Sequence, residues 1–208
     1  MAEGRGRFIT LEGIEGAGKS THMDGVRALL ESRGRGVQVT REPGGTRLGE
    51  GVRALLLDLG HRDMDPMAEL LLVFAARAAH VAEVIEPALS SGRWVLCDRF
   101  TDATYAYQGG GRQLGPGPVA ALEHLVQGDL RPDLTVILDV PVEVGLTRVD
   151  HRARRDRFEL EAQGFFQRIR EVYLERARSC PDRYRVVDAT ASREETAGAI
   201  ARAVESLL

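Results

Sequence analysis

One segment near the N-terminus constrains the fold of this chain more than any other. Its residues are Gly13-Ile14-Glu15-Gly16-Ala17-Gly18-Lys19-Ser20, and they match the pattern G-x-x-x-x-G-K-S/T. A run with strand character (7–11) precedes the segment, and a stretch with helical patterning follows it. Such a glycine-rich turn lets backbone N–H groups converge on phosphate oxygens at the positive end of a helix. The segment therefore predicts a P-loop that binds a nucleoside triphosphate, rather than a plain glycine turn.

The P-loop and the first helical residues supply the candidates for contacting the triphosphate. Lys19 offers a mobile positive charge for the β and γ phosphates, and Ser20 is the expected ligand of a magnesium ion. The candidate residues are Gly13, Ile14, Glu15, Gly16, Ala17, Gly18, Lys19, Ser20 and Thr21.

Short runs rich in β-branched residues alternate with longer stretches of helical patterning. Because ten or more residues separate successive runs, helical crossovers between parallel strands are favoured over hairpins. We predict an α/β fold of the P-loop NTP hydrolase type, with a five-stranded parallel sheet flanked by helices on both faces and one domain spanning 1–208. The predicted strands are 7–11, 37–40, 94–97, 134–138 and 185–187.

The segment 67–89 is apolar on nearly every side, so as a helix it is expected to be buried. Arg77 is a charged residue inside this helix, and its burial calls for a function. The apolar surface near Leu70 is also suited to a subunit interface.

The overall composition indicates an ordinary soluble protein. A formal net charge of −3 gives no global attraction for polyanions, so we expect neither a nucleic acid nor a membrane partner. The chain starts with a short polar stretch, and no segment has the length of a membrane span. The two cysteines, Cys97 and Cys180, show no paired spacing. We expect a cytoplasmic protein with reduced thiols.

The absence of asparagine from the sequence argues against a GTPase, because guanine selection there uses an N-K-x-D segment. Enzymes that transfer the γ-phosphoryl group to a small acceptor fit better, and they need arginines near the phosphates. Asp98 and Arg99 end the strand 94–97, at the carboxyl edge where α/β sheets bind ligands. Asp98 is the expected second magnesium ligand, and Arg99 is expected near the acceptor phosphate.

Five arginines lie within ten residues at 148–157, namely Arg148, Arg152, Arg154, Arg155 and Arg157. Acidic residues interrupt this run and the chain as a whole is acidic, which disfavours a nucleic-acid patch. We interpret the segment as a short arginine-rich lid over the triphosphate, rather than a solvated helix face.

Four motifs jointly resemble the bacterial thymidylate kinase family, and the resemblance extends over essentially the whole chain. They are LEGIEGAGKST at 11–21, TREPGGT at 40–46, FAAR at 74–77, and DRF with AYQGGG between 98 and 111. The resemblance implies a homodimeric kinase that uses ATP and Mg²⁺ to convert dTMP to dTDP.

The resemblance also implies roles around the acceptor nucleotide. Phe74 is expected to stack on the thymine ring, and Arg77 to hydrogen-bond the carbonyl edge of that ring. Glu15 is expected to face the 3′-hydroxyl, while Tyr107 lies below the sugar and crowds a ribose 2′-hydroxyl. The other candidate residues for binding dTMP are Glu42, Pro43, Arg99, Thr104 and Gln108.

By the same resemblance, lid arginines supply the positive charge that the P-loop lacks. The family's lid arginines match Arg148 and Arg152, and the inserted Val149-Asp150-His151 departs from the usual alternation of alanine and arginine. The candidate catalytic residues are Glu15, Lys19, Arg99, Arg148 and Arg152.

Two alternatives remain open at this point. The P-loop and the lid contact phosphates and not bases, so a kinase of another pyrimidine monophosphate (UMP, CMP or dUMP) is the nearest one. A nucleotide-binding regulatory module without catalysis is the other.

Overall fold

Five parallel strands form a sheet at the centre of the molecule, in a computed structural model that describes residues 4–150 and 156–208. The strands are β1 (Phe8–Glu12), β2 (Val37–Arg41), β3 (Trp94–Asp98), β4 (Leu134–Asp139) and β5 (Tyr184–Asp188). They are arranged in the order β2-β3-β1-β4-β5, and every neighbouring pair is parallel. The predicted five-stranded parallel sheet is confirmed.

Helices connect the strands and flank the sheet. They are α1 (Lys19–Ser32), α2 (Arg47–Leu57), α3 (Pro66–His80), α4 (Glu86–Ser90), α5 (Thr101–Thr104), α6 (Pro116–Gln127), α7 (Val142–Asp150), α8 (Gln163–Ser179) and α9 (Arg193–Glu205). Two π-helical stretches, Val81–Ile85 and Tyr105–Gly111, continue α3 and α5, and a short 3₁₀ turn spans Leu59–His61. Within the described residues, no helix has both the length and the apolar character needed to cross a bilayer.

The side chains of β3 explain why this strand lies inside the sheet. Trp94 and Leu96 join the larger apolar core, while Val95 and Cys97 join a smaller core with Ile85 on the other side. Since successive side chains of a strand point to opposite faces, an apolar run predicts coverage on both faces.

The predicted complete burial of the helix over 67–89 is wrong on one face. Leu70 and Arg77 are buried, whereas Met67 is 39% exposed and Leu71 is 51% exposed. When a helical sequence is apolar on every side, the sequence alone cannot show whether the whole helix is buried. One of its apolar faces can be exposed in the isolated chain. Thus α3 has one face toward the interior and one apolar face toward solvent.

The sheet order brings several loops together at its carboxyl edge. Asp98 at the end of β3 lies beside Leu11 of β1 and Arg41 of β2 in the register of the sheet. The residues that follow these strands therefore converge where open α/β sheets bind ligands.

Candidate active site

A cavity of about 530 Å³ opens at this edge of the sheet. The P-loop forms one wall, and α3 with the turn after β3 forms another. The predicted site residues that line it are Glu15, Gly16, Ala17, Gly18, Lys19, Ser20, Thr21, Glu42, Pro43, Arg77, Asp98, Arg99, Thr104, Tyr107, Gln108 and Arg148. The structure thus brings most of the predicted residues to one cavity of a size suited to small ligands.

Glycines allow the tight backbone of the P-loop. Gly16 has φ 72°, and a Cβ atom there would lie 2.0 Å from the carbonyl oxygen of Gly145 at the start of α7. The ammonium of Lys19 folds back over the loop and donates to the carbonyl oxygens of Gly13 and Ile14, each at 2.9 Å. Burial lowers the pKa of Lys19 to about 8.

Arg99 joins the turn after β3 to the P-loop. It adopts a positive φ of 68°, and its guanidinium donates to the Gly13 carbonyl at 3.0 Å and to Glu15 Oε1 at 2.9 Å. The Tyr107 hydroxyl donates to Glu15 Oε2 at 2.5 Å. The carboxylate of Glu15 is therefore held between Arg99 and Tyr107.

Glu12 and Tyr173, which sequence reasoning did not select, hold the turn that contains Arg99 from the side of the core. Glu12 Oε1 accepts from the backbone N–H of Phe100 at 2.7 Å, and Glu12 Oε2 accepts from the Tyr173 hydroxyl at 2.8 Å. Burial raises the pKa of Glu12 to about 8. Glu12 directly precedes the P-loop, so its position in the sequence could have indicated a role at this site. Tyr173 lies on α8, and no local sequence pattern connects it to the site.

Arg77 is buried between fixed partners on the opposite wall. Its Nε donates to Glu42 Oε2 at 2.8 Å, and its Nη2 donates to Thr104 Oγ1 at 2.8 Å. The other oxygen of Glu42 lies 2.8 Å from Nδ1 of His80. Arg77 Nη1 is buried, and within the described residues it has no hydrogen-bond partner. The Nη1 amino group of Arg77 is thus left for a ligand.

Phe74 is not among the residues that line the cavity, and its stacking on the base stays a prediction. Its ring packs against Leu70 and Val119, and the Arg77 guanidinium lies over it at 4.7 Å, whereas Val73 lines the cavity. On a helix, positions 73 and 74 both neighbour 77, so the spacing alone does not decide which of them lines the cavity.

The lid is only partly described. Arg148 donates to the Ala189 carbonyl at 3.1 Å and to the Gly16 carbonyl at 3.3 Å, between the P-loop and the end of β5. Arg157 is buried against Glu69 and the Leu56 carbonyl, so this arginine of the run does not line the cavity. The catalytic candidate Arg152, like Arg154 and Arg155, lies outside the described residues.

A sequence model of the thymidylate kinase family matches residues 11–200. The chain belongs to the thymidylate kinase family. A thymidylate kinase of Pseudomonas syringae pv. syringae is 63% identical over 184 residues, 88% of each chain. One of Pseudomonas putida is 58% identical over 203 residues, 98% of this chain and 95% of the relative. The crystal structure of Ehrlichia chaffeensis thymidylate kinase has a TM-score of 0.78 at 33% identity, covering 97% of this chain and 99% of that one.

This membership confirms the resemblance found in the sequence and the P-loop fold. The alternative of a UMP or CMP kinase is not supported, because the family model and the relatives are all thymidylate kinases. Glu12, Glu69 and Tyr173, which were not selected from sequence, do not line the cavity but hydrogen-bond residues around it. Residues that line the cavity and were not selected include His22, Arg53 and Arg193.

The lowered pKa of Lys19 predicts how the use of ATP depends on pH. Charged Lys19 is present below its pKa of about 8 in the free chain and is lost as the pH rises through that value. Since the charged form binds the triphosphate, kcat/KM for ATP is expected to fall roughly tenfold per pH unit above this point. The measurement is a pH profile of kcat/KM for ATP with saturating acceptor.

Lys19→Arg is the matched control, because a guanidinium stays charged throughout this range. Its remaining activity is expected to lack the alkaline fall. A wild-type profile that stays flat, or a fall that persists in Lys19→Arg, would contradict the assignment.

Proposed function

We propose that this chain transfers the γ-phosphoryl group of ATP to dTMP, giving dTDP and ADP, in the cytoplasm. The observation that carries the proposal is the unpartnered Nη1 amino group of buried Arg77, in the same cavity as a P-loop of the thymidylate kinase family. A buried donor without a partner is costly, so a ligand acceptor at this point is favoured.

The base is selected by this donor. Glu42 and Thr104 hold the guanidinium of Arg77 in place, so the free Nη1 amino group has a fixed direction. Thymine and uracil carry a carbonyl oxygen that accepts such a bond, whereas cytosine carries an amino group there. The cytosine nucleotide would leave two donors facing each other, and sites of this kind reject such ligands strongly.

The sugar is selected by Glu15 and Tyr107. The carboxylate of Glu15 accepts hydrogen bonds, which suits a 3′-hydroxyl donor of the acceptor nucleotide. The Tyr107 ring is held by its bond to Glu15 and by the Arg99 guanidinium at 4.7 Å from its centre. A fixed ring below the sugar disfavours a ribose 2′-hydroxyl.

Phosphoryl transfer then depends on alignment and charge. The acceptor phosphate is itself the nucleophile, so no side chain needs to act as general base. Lys19 and Arg99 neutralise the donor and acceptor phosphates from two sides, and the lid arginines Arg148 and Arg152 contribute the remaining positive charge.

Asp98 and Ser20 fit a magnesium ion. Asp98 Oδ1 is buried without a hydrogen-bond partner in the described part of the chain, and Ser20 lies on the same cavity. Magnesium is commonly held by one or two protein oxygens together with nucleotide phosphates. When bound, the ion would neutralise charge on the β and γ phosphates.

The direct test is a coupled assay of ADP release with dTMP, dUMP, UMP, CMP and dGMP as acceptors. We expect dTMP to give the highest kcat/KM, dUMP to lose roughly 10- to 200-fold for its missing methyl group, and CMP to be the poorest pyrimidine. Lys19→Ala, which lacks the P-loop charge, serves as the background control.

Faster turnover of UMP than of dTMP would overturn the assignment of the acceptor. Binding of ATP without any ADP release that depends on an acceptor would instead support a regulatory module.

The proposal includes a homodimer formed through the exposed apolar face of α2 and α3. These two helices pack against each other, and Leu48, Leu55, Met67 and Leu71 on them are 39–55% exposed. Apolar patches of this kind mark interfaces between proteins.

A charge on this face is expected to separate the dimer. Light scattering after size exclusion should give twice the 22.8 kDa chain mass for the wild type and a single chain for Leu71→Glu. Val186→Glu, equally exposed at 48% but on β5 at the far edge of the sheet, should remain dimeric. A monomeric wild type, or a Leu71→Glu variant that stays dimeric, would refute this interface.

A further inference from the structure

Glu69, near the start of α3, is fully buried at the centre of a polar cluster. Gln108 Nε2 donates to Glu69 Oε1 at 2.8 Å. Arg112 Nε lies 3.2 Å from both carboxylate oxygens, and Arg157 donates to Oε2. Three side chains from two other segments of the chain thus meet at this carboxylate.

The chemistry of Glu69 decides which way the Gln108 amide points. Guanidinium groups can only donate, and those of Arg112 and Arg157 contact both oxygens of Glu69, so both oxygens act as acceptors. The Gln108 atom that faces these oxygens is therefore the amide nitrogen. The carbonyl oxygen is then the end that Gln108 can offer to the cavity, which it lines.

Gln108 and Arg77 consequently present a hydrogen-bond acceptor and a hydrogen-bond donor to the same ligand. Among the described residues, two side-chain hydrogen bonds join α3 to the segment 101–111: Glu69 with Gln108, and Arg77 with Thr104. Arg77 supplies a donor, and Gln108 supplies an acceptor. Thymine and uracil present a carbonyl next to a ring N–H, which complements this pair, whereas cytosine presents an amino group next to a bare ring nitrogen.

We infer that Glu69 is a positioning residue that determines base specificity, by fixing the oxygen of Gln108 toward the ring N–H of the acceptor base. This inference rests on the proposed function and adds a second polar contact to that of Arg77. Glu69 touches no nucleotide itself and acts only through Gln108.

A purely structural role predicts something different. If Glu69 only neutralises Arg112 and Arg157, its replacement should weaken the enzyme toward all acceptors by the same factor. The ratio of kcat/KM for dTMP to kcat/KM for dCMP separates the two cases.

The experiment measures this ratio in the wild type, Glu69→Gln, Gln108→Met and the double variant. A carboxamide at position 69 can donate as well as accept, so the Gln108 amide is free to turn. We expect Glu69→Gln to lower the dTMP to dCMP ratio about tenfold or more, the size of one hydrogen-bond contact. In the Gln108→Met background, the same replacement should leave the ratio unchanged.

Arg112→Met is the matched control, because it removes a cationic partner of Glu69 and keeps the carboxylate. Its ratio is expected to equal that of the wild type even where its activity falls. If Glu69→Gln does not fold in a thermal melt, Glu69→Asp replaces it, since Asp keeps the charge but withdraws the carboxylate from Gln108. The ratio must then fall in Glu69→Asp.

Equal losses for both substrates in the Glu69 variants, or a ratio that still changes in the Gln108→Met background, would overturn the inference while leaving the proposed function intact. A wild type that does not prefer dTMP to dCMP would overturn both.

Discussion

The ion pair between Arg99 and Glu15 is the contact on which the rest of the site depends. It connects the turn after β3 to the P-loop after β1, and it sets the direction of both side chains at once. Arg99 holds a positive φ, a conformation that costs free energy in a residue with a side chain. The buried contacts of Glu12 with Phe100 and Tyr173 support that turn from within the core.

The wall of the cavity that contains Arg77 and Gln108 also relies on buried charged side chains with fixed hydrogen-bond partners. Glu42 holds Arg77, and Glu69 holds Gln108, each at 2.8 Å. Buried ion pairs contribute little net stability, because desolvation offsets their attraction. Their contribution here is geometric, since each carboxylate leaves a defined donor or acceptor for the ligand. In this account, the specificity of the cavity depends on how Glu42 and Glu69 orient Arg77 and Gln108.

The sheet, the P-loop and the residues at the strand ends could be predicted from the sequence, because each of these features depends on a local sequence pattern. The sequence did not indicate that Val73 lines the cavity while Phe74 packs against Leu70, since both positions neighbour Arg77 on the helix. It also placed Arg157 in the lid, although that side chain is buried against Glu69. Contacts such as Tyr173 with Glu12 join residues far apart in the chain, and no local pattern encodes them.

The most direct measurement is the single-turnover rate of dTDP formation in Arg99→Lys, starting from the complex with ATP and dTMP. Lysine keeps the positive charge but has no planar fork to hold both the Gly13 carbonyl and Glu15. If Arg99 aligns the P-loop with the acceptor phosphate, the rate should fall at least about tenfold while the variant remains folded. A rate equal to that of the wild type would contradict the central role of this ion pair.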